Sequence, residues 1–371
     1  MTALAGLSLL IWVYLLGFHG RFWQAGPMLA ADRPDAAPAV AVVVPARDEA
    51  AGIGPAVASL LAQDYGGAWR LIVVDDQSSD GTGPILRGFS DARLTVLDGR
   101  PRPAGWSGKL WAVSQGIAAA GNAELILLTD ADIVHDPLHL ATLVAKAERD
   151  GLDLVSEMVA LACASWAERA LVPAFVFFFQ LLYPFASVND PRRPTAAAAG
   201  GTILVRARAL ARVGGIEALR GALIDDVALA SAVKRGGSIW LGHSTLARSV
   251  RPYPHAADIW RMVTRTAYVQ LRRSPLLLAL CLAGLALTWL VPRLAALFGH
   301  HAARWMGLTT WVGAASSYLP TLRRFGRSPL WAPFLPLVAL FYMAATVGSA
   351  LDHARGRGVV WKSRAYQGAD A

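Results

Sequence analysis

Apolar residues along this chain fall into two rhythms. Between about residues 38 and 272 they form short runs separated by mixed polar stretches. Outside that region they merge into long, nearly uncharged segments. Val40–Val44 is a continuous apolar run closed by Pro45, the pattern of a strand buried on both faces. Leu71–Val74, Leu94–Leu97, Leu125–Thr129 and Asp153–Val159 repeat the theme, and Ile239–Leu241 adds a late strand. Pro55–Gln63, Leu110–Ala120 and Pro137–Arg149 lie between them with helical character, Pro55 sitting where a first helical turn tolerates proline. Strand and helix therefore alternate, which predicts an α/β domain over 38–272 with a mainly parallel sheet. Ala31–Pro38 reads as the linker into it.

The long segments predict helices at a membrane. Residues 1–20 form a first span, uncharged through residue 18, and 276–351 hold two or three more, from Leu276, around Trp305–Leu319 and at Leu330–Leu351. Crossing a bilayer takes roughly 20 apolar residues. A cleaved leader is the rival reading for the first segment, but no basic residue precedes it and no small-residue cleavage site follows. Arg21 and Arg33 follow the first span, Arg261, Arg265, Arg272 and Arg273 precede the second, and Arg323, Arg324 and Arg327 lie before the last. Positive charge gathers on the cytoplasmic side, so the central domain is expected there and the protein is expected to be multi-pass. The tail 352–371, with Arg355, Arg357, Lys362 and Arg364, then falls on the wrong side for its charge. A further aromatic, uncharged stretch, 171–186, is interrupted by Pro173 and Pro184 and predicts an interfacial helix, with a helix buried in the protein core as the alternative that periodicity leaves open.

Composition supports this division. At 371 residues the chain is 55% hydrophobic, with a formal net charge of +9. Arginines beside apolar segments account for the charge, and no basic run is interleaved with aromatics as a nucleic-acid module would require. Cys163 and Cys281 are too few and too far apart to suggest a disulfide framework or a metal site.

The chemistry lies in three acidic clusters: Asp75-Asp76 with Asp80, Asp130-Ala131-Asp132, and Asp225-Asp226. The first two close strand-like runs, and carboxylates at the ends of parallel strands meet in the crevice where open α/β sheets bind ligands. Asp130 and Asp132, two apart on an extended chain, share a face and can reach one cation. Hard divalent ions use such a pair together with substrate phosphates. Gly52-Ile53-Gly54 resembles the start of a dinucleotide fingerprint, but its third position is Val57, which argues against a nicotinamide or flavin site. His135 and His243 read as turn or strand-end residues rather than ligands.

Val42-Val43-Val44-Pro45-Ala46-Arg47-Asp48-Glu49, Val74-Asp75-Asp76-Gln77-Ser78-Ser79-Asp80-Gly81-Thr82, Gly108-Lys109 and Asp130-Ala131-Asp132 resemble, in order, the motifs of family 2 glycosyltransferases. Trp106–Val113, Pro173–Gln180 and Arg220–Asp226 are similar to a bacterial subgroup associated with hopanoid biosynthesis. The resemblance covers nearly the whole chain and implies a GT-A fold and an inverting, metal-dependent transferase of a bacterial cytoplasmic membrane. It implies a nucleotide-diphospho-sugar donor, a uridine one expected, and a lipid acceptor such as a hopanoid. By the same resemblance, Asp75 and Asp76 hold the base and ribose, and Pro45, Arg47 and Glu49 line the same edge. Lys109, Asp130 and Arg265 face the diphosphate, Asp130 and Asp132 hold Mg2+ or Mn2+, and Asp226 is the base with Asp225 orienting it or the acceptor. The segment Met262–Thr266 lacks the Trp of polymer-making synthases, so transfer of one sugar is expected. Two alternatives stand beside this reading. One is transfer to polyprenyl phosphate, for which Arg192, Arg193 or Arg251 would hold the acceptor phosphate. The other is a non-catalytic membrane scaffold.

Overall fold

The computed structural model describes residues 1–222 and 224–355, with the backbone of 360–361 and 364–365. Arg357 and Lys362 of the basic tail lie outside the described residues. The described residues divide into two units, one formed by 27–162 and 187–252, the other by 1–26, 163–186 and 253–355.

The first unit is built on an eight-stranded sheet. Its strands are β1 (Val40–Ala46), β2 (Trp69–Asp75), β3 (Leu94–Asp98), β4 (Leu125–Thr129), β5 (Ile133–His135), β6 (Leu154–Ala160), β7 (Thr202–Arg206) and β8 (Ile239–Ser249). Their order across the sheet is β3-β2-β1-β4-β7-β6-β8-β5. β3, β2, β1 and β4 run parallel, with Val42 beside both Leu71 and Leu127. β7 then enters antiparallel between β4 and β6, and β5 lies antiparallel on the far edge against β8. β6 and β8 pair parallel, so four of the seven strand pairings are parallel and the sheet is mixed rather than purely parallel.

Side-chain alternation divides the apolar runs between two faces. Val40, Val42, Val44, Leu71, Val73, Leu125 and Leu127 pack on one side with Ile53, Val57 and Leu60 from the helix Ile53–Leu61 and with Leu140, Leu143 and Val144 from the helix His139–Arg149. Ala41, Ile72 and Val74 pack on the other side with Ala112 of the helix Gly108–Ala118. That second helix approaches closely because Gly116 has no β-carbon; one placed there would lie 2.4 Å from Val43 Cγ1. Helices on both faces leave β1 and β4 buried throughout, which explains why they read as unbroken apolar runs.

The second unit is helical. Three of the described helical segments are long and apolar enough to cross a membrane: Trp166–Val188, Pro275–Phe298 and Pro329–Ala354. Two differ from expectation. The first helix, Thr2–Gly17, has 16 residues, about 24 Å at 1.5 Å per residue, shorter than a hydrocarbon core of about 30 Å. Trp305–Leu319 lies inside a 24-residue helix, His301–Arg324, whose polar and basic residues dilute its apolar character.

Part of the aromatic stretch 171–186 is buried within this unit. Phe177 is fully buried, with ring centroids 5.5 Å from Phe22 and 5.2 Å from Tyr318. Its helix, Trp166–Leu182, starts with a capping box in which Ser165 and Glu168 satisfy each other's backbone N–H groups. Glu168 Oε1 also accepts the Tyr253 N–H at 2.7 Å, so one buried carboxylate ties two chain segments of this unit together.

Candidate active site

Parallel pairing brings the carboxyl ends of β1, β2 and β4 to one edge of the sheet. Antiparallel β7 adds its beginning there, because Thr202 lies opposite Thr129. A small cleft opens at this edge, lined by Pro45, Lys109, Asp130, Gly200, Asp225 and Asp226 over an apolar floor that includes Leu128, Ile203 and Leu229. Five residues singled out in the sequence thus meet in one place, although they lie on four separated segments.

Lys109 sits at their centre. Its helix is capped by Ser107, whose Oγ accepts the Leu110 N–H at 3.2 Å and so fixes the first turn beneath the lysine. A cation there opposes the helix dipole, and carboxylates offset the conflict: Lys109 Nζ lies 2.8 Å from Asp130 Oδ1 and 3.5 Å from Asp225 Oδ2. Burial works to lower the ammonium pKa, but Asp130 and Asp225 reverse this and hold it above its ordinary value.

Asp225 and Asp226 open the helix Asp225–Lys234 from its first turn, where the dipole favours negative charge. Asp226 Oδ1 accepts its neighbour's N–H from Val227 at 2.8 Å. Gly200 allows the opposite oxygen its room, since a β-carbon there would stand 3.2 Å from Asp226 Oδ2 and 3.6 Å from Lys109 Nζ. Burial pushes the Asp226 carboxyl up, the Asp225 carboxylate pushes it further, and Lys109 partly restrains it, for a pKa of about 7. General bases work best when their pKa lies near the working pH.

The remaining predicted residues build the adjoining loops. Asp75 Oδ1 accepts the Ser78 N–H at 3.0 Å, and Asp76 is fully buried with Oδ2 3.7 Å from Arg47 Nη1. The loop after β1 is stitched to the loop after β2: Glu49 N–H donates to Thr82 Oγ1 at 2.8 Å, and Ala50 N–H to Asp80 Oδ2 at 2.9 Å. Asp80 therefore serves the turn. Arg265 lies in the helical unit, just past the helix Ala256–Thr264. Arg192 and Arg193 share Asp190 at the surface.

Asp130 and Asp132 are each matched by a cation, Asp130 by Lys109 and Asp132 by Arg251, whose Nε meets Asp132 Oδ2. Arg251 also takes both oxygens of Glu49, at 2.8 and 2.9 Å. Positive charge is thus already drawn to both carboxylates. Their hard oxygen donors suit Mg2+ or Mn2+, and two carboxylates leave room for the waters and phosphates such ions keep. Among the described residues no cluster of three or more His, Cys, Asp or Glu is arranged to hold an ion alone.

Two features had little sequence signal. Arg251 stands 202 positions from Glu49 and 119 from Asp132. Behind β4, a buried chain runs from Glu157 Oε1 to His139 Nε2 (2.5 Å), His139 Nδ1 to His135 Nδ1 (2.8 Å), and His135 Nε2 to Thr129 Oγ1 (3.2 Å). Thr129 in turn donates to the Gly201 carbonyl at 2.8 Å, which bolts β4 to the glycine floor below Asp226. His135 is held well below its ordinary pKa by burial and by His139. The spacing of His135 and His139, four apart, was the available hint.

The structure is thus an α/β sheet with a carboxylate-lined cleft at its strand ends, the place where open α/β sheets bind ligands. Residues 41–214 match the model of Glycosyl transferase family 2. Among solved structures, a mannosyltransferase, PcManGT from Pyrobaculum calidifontis, in complex with GDP-Man and Mn2+, is 19% identical. It aligns over 94% of this chain and 98% of its own, with a TM-score of 0.57. Glucosyl-3-phosphoglycerate synthase from Mycobacterium tuberculosis, in complex with phosphoglyceric acid, is 18% identical over 67% of this chain and 87% of its own, with a TM-score of 0.42. No curated protein matches. The match lies on the sheet unit at residues 41–214, the fold is GT-A, and the protein is an enzyme, a glycosyltransferase.

Proposed function

We propose that this protein transfers a single sugar, with inversion, from a nucleotide-diphospho-sugar to the hydroxyl of a membrane lipid. The observation that carries this is Asp226: a carboxyl with a pKa of about 7, in a cleft shared with Lys109 and Asp130. Inversion needs one base and no nucleophilic carboxylate, and Asp226 takes the proton of the acceptor hydroxyl as its oxygen attacks the anomeric carbon. Asp225 holds Lys109 and keeps Asp226 basic enough to accept that proton. Lys109, freed from Asp130 on binding, is placed to meet the departing diphosphate. Asp130 and Asp132 would hold Mg2+ or Mn2+, which when bound neutralises charge growing on the leaving group. PcManGT, with its GDP-Man and Mn2+, supports this donor and metal class. Asp75, Asp76, Pro45, Arg47 and Glu49 remain the proposed surroundings of the nucleotide.

The acceptor is assigned from the company the domain keeps. Helices long and apolar enough to cross a membrane favour a lipid, and the resemblance to the hopanoid-associated subgroup favours a hopanoid. A cytoplasmic catalytic domain on a bacterial inner membrane follows from the arginines around these helices. Transfer to polyprenyl phosphate is the alternative, for which Arg192 and Arg193, paired with Asp190 at the surface, are the candidate phosphate ligands.

The test uses the full chain in nanodiscs of bacterial lipid with Mn2+ and a panel of UDP- and GDP-sugars. Release of nucleoside diphosphate with a sugar-bearing lipid is expected from one donor. Absence of both turnover and nucleotide binding across the panel refutes the reading.

A further inference from the structure

Arg251 bridges two carboxylates that come from different loops of the site. Its Nη2 takes Glu49 through both oxygens, while its Nε takes Asp132 Oδ2. Its backbone is held independently. β8 pairs with β5 up to Ser249 opposite Ile133, and the next residue, Val250, donates its N–H to the Asp132 carbonyl at 2.8 Å. The guanidinium can therefore change partners without any movement of the strand that carries it.

We infer that Arg251 is a charge placeholder: it neutralises Asp132 in the empty enzyme and passes from Asp132 to the donor's diphosphate when metal and nucleotide bind together. The inference rests on the proposed function and adds a coupling device to it. A guanidinium and a divalent cation compete for the same carboxylate, so metal alone binds against the cost of displacing Arg251. A diphosphate removes that cost, because it offers the displaced planar fork a bidentate anionic partner. Metal and nucleotide then bind cooperatively, and each weakly alone, which keeps the ion from settling in a site without donor. Glu49 is the tether that keeps the guanidinium beside the site during the exchange.

The experiment measures Mn2+ binding by the loss of its free-ion spin-resonance signal, with full-length wild type, Arg251→Met and Arg251→Lys in nanodiscs. Each is titrated alone, with UDP and with GDP. Wild type is expected to bind Mn2+ much more tightly with the matching nucleotide. In Arg251→Met, Mn2+ alone should bind at least about fivefold tighter, and the nucleotide-induced gain should shrink at least about fivefold, the low end of coupling between linked sites. Arg251→Lys, which keeps the charge but loses the fork, should fall between the two in that gain. An unchanged gain in Arg251→Met, beside a normal gain in wild type, overturns the placeholder role and leaves the proposed function standing. A wild type that shows no Mn2+-dependent binding of either nucleotide overturns both.

Discussion

If Asp226 is a base tuned by opposing neighbours, removing each neighbour should move its titration in opposite directions. A β-carbon on Gly200 would stand 3.2 Å from Asp226 Oδ2 and 3.6 Å from Lys109 Nζ, so the two charges are less than about 7 Å apart. Across about 7 Å, at an effective dielectric of about 20, unit charges interact by about 2 kcal/mol. The Lys109 side chain is 23% exposed and Asp225 26%, so solvent reduces this to about 1–1.5 kcal/mol, or roughly one pH step. The perturbations are Lys109→Met, which removes the restraining cation, and Asp225→Asn, which removes the repelling anion with little change of shape. The assay is kcat/KM for nucleoside diphosphate release between pH 5 and 9. Wild type should show an acid limb at about pH 7, where Asp226 loses its proton. The limb should rise to about 8 in Lys109→Met and fall to about 6 in Asp225→Asn. Lower absolute rates are expected in both and do not matter to the test. Limbs that move in the same direction, or that stay at pH 7 in both variants, would refute the assignment of Asp226 as the titrating base.

The same carboxyl should also leave a mark on stability. Its pKa is raised from 3.8 in the unfolded chain to about 7, so its favourable contribution is complete below about pH 4 and is lost as pH climbs through 7. Asp226→Asn should therefore melt higher than wild type at pH 8, by the equivalent of about 2–4 kcal/mol, with the difference gone by pH 4 in parallel calorimetric scans. Gly116→Ala places a methyl 2.4 Å from Val43 Cγ1 and 3.3 Å from Val74 Cγ2, and should destabilise the sheet unit by about 1–3 kcal/mol in urea unfolding. Phe177→Ala empties the aromatic core of the helical unit and should cost about 3–5 kcal/mol, read as a lower melting temperature in detergent.

The legible parts of the fold were those governed by one local rule. Leu125–Thr129 has the same limits in sequence and structure because its apolar run is bounded by polar residues at both ends. β7, Thr202–Arg206, follows an Ala- and Gly-rich stretch with no periodicity, and its insertion against β4 depends on pairing across some 75 residues. Alternation of strand and helix says nothing about such an insertion, which is what makes a mainly parallel sheet a mixed one. β8 was read as ending at Leu241 because hydrophobicity drops there. It continues to Ser249, with His243, Ser244 and Ala247 buried along it.

In the site, acidic pairs at strand and helix ends were visible because motif and position coincide. Lys109 was visible for the opposite reason, as a cation at the wrong end of a helix. The partners of Asp132 were not, since nothing near Asp132 in sequence points to Arg251. The aromatic run 171–186 shows the limit of composition. An all-apolar stretch carries no record of whether protein or lipid will cover it.

The most direct measurement of the central claim is the lipid profile of cells carrying either the wild-type chain or Asp226→Asn, fed a labelled sugar precursor. The account predicts that one labelled glycolipid disappears in the variant while its sugar-free precursor accumulates, with the protein folded and equally abundant. An unchanged profile under those conditions would contradict it.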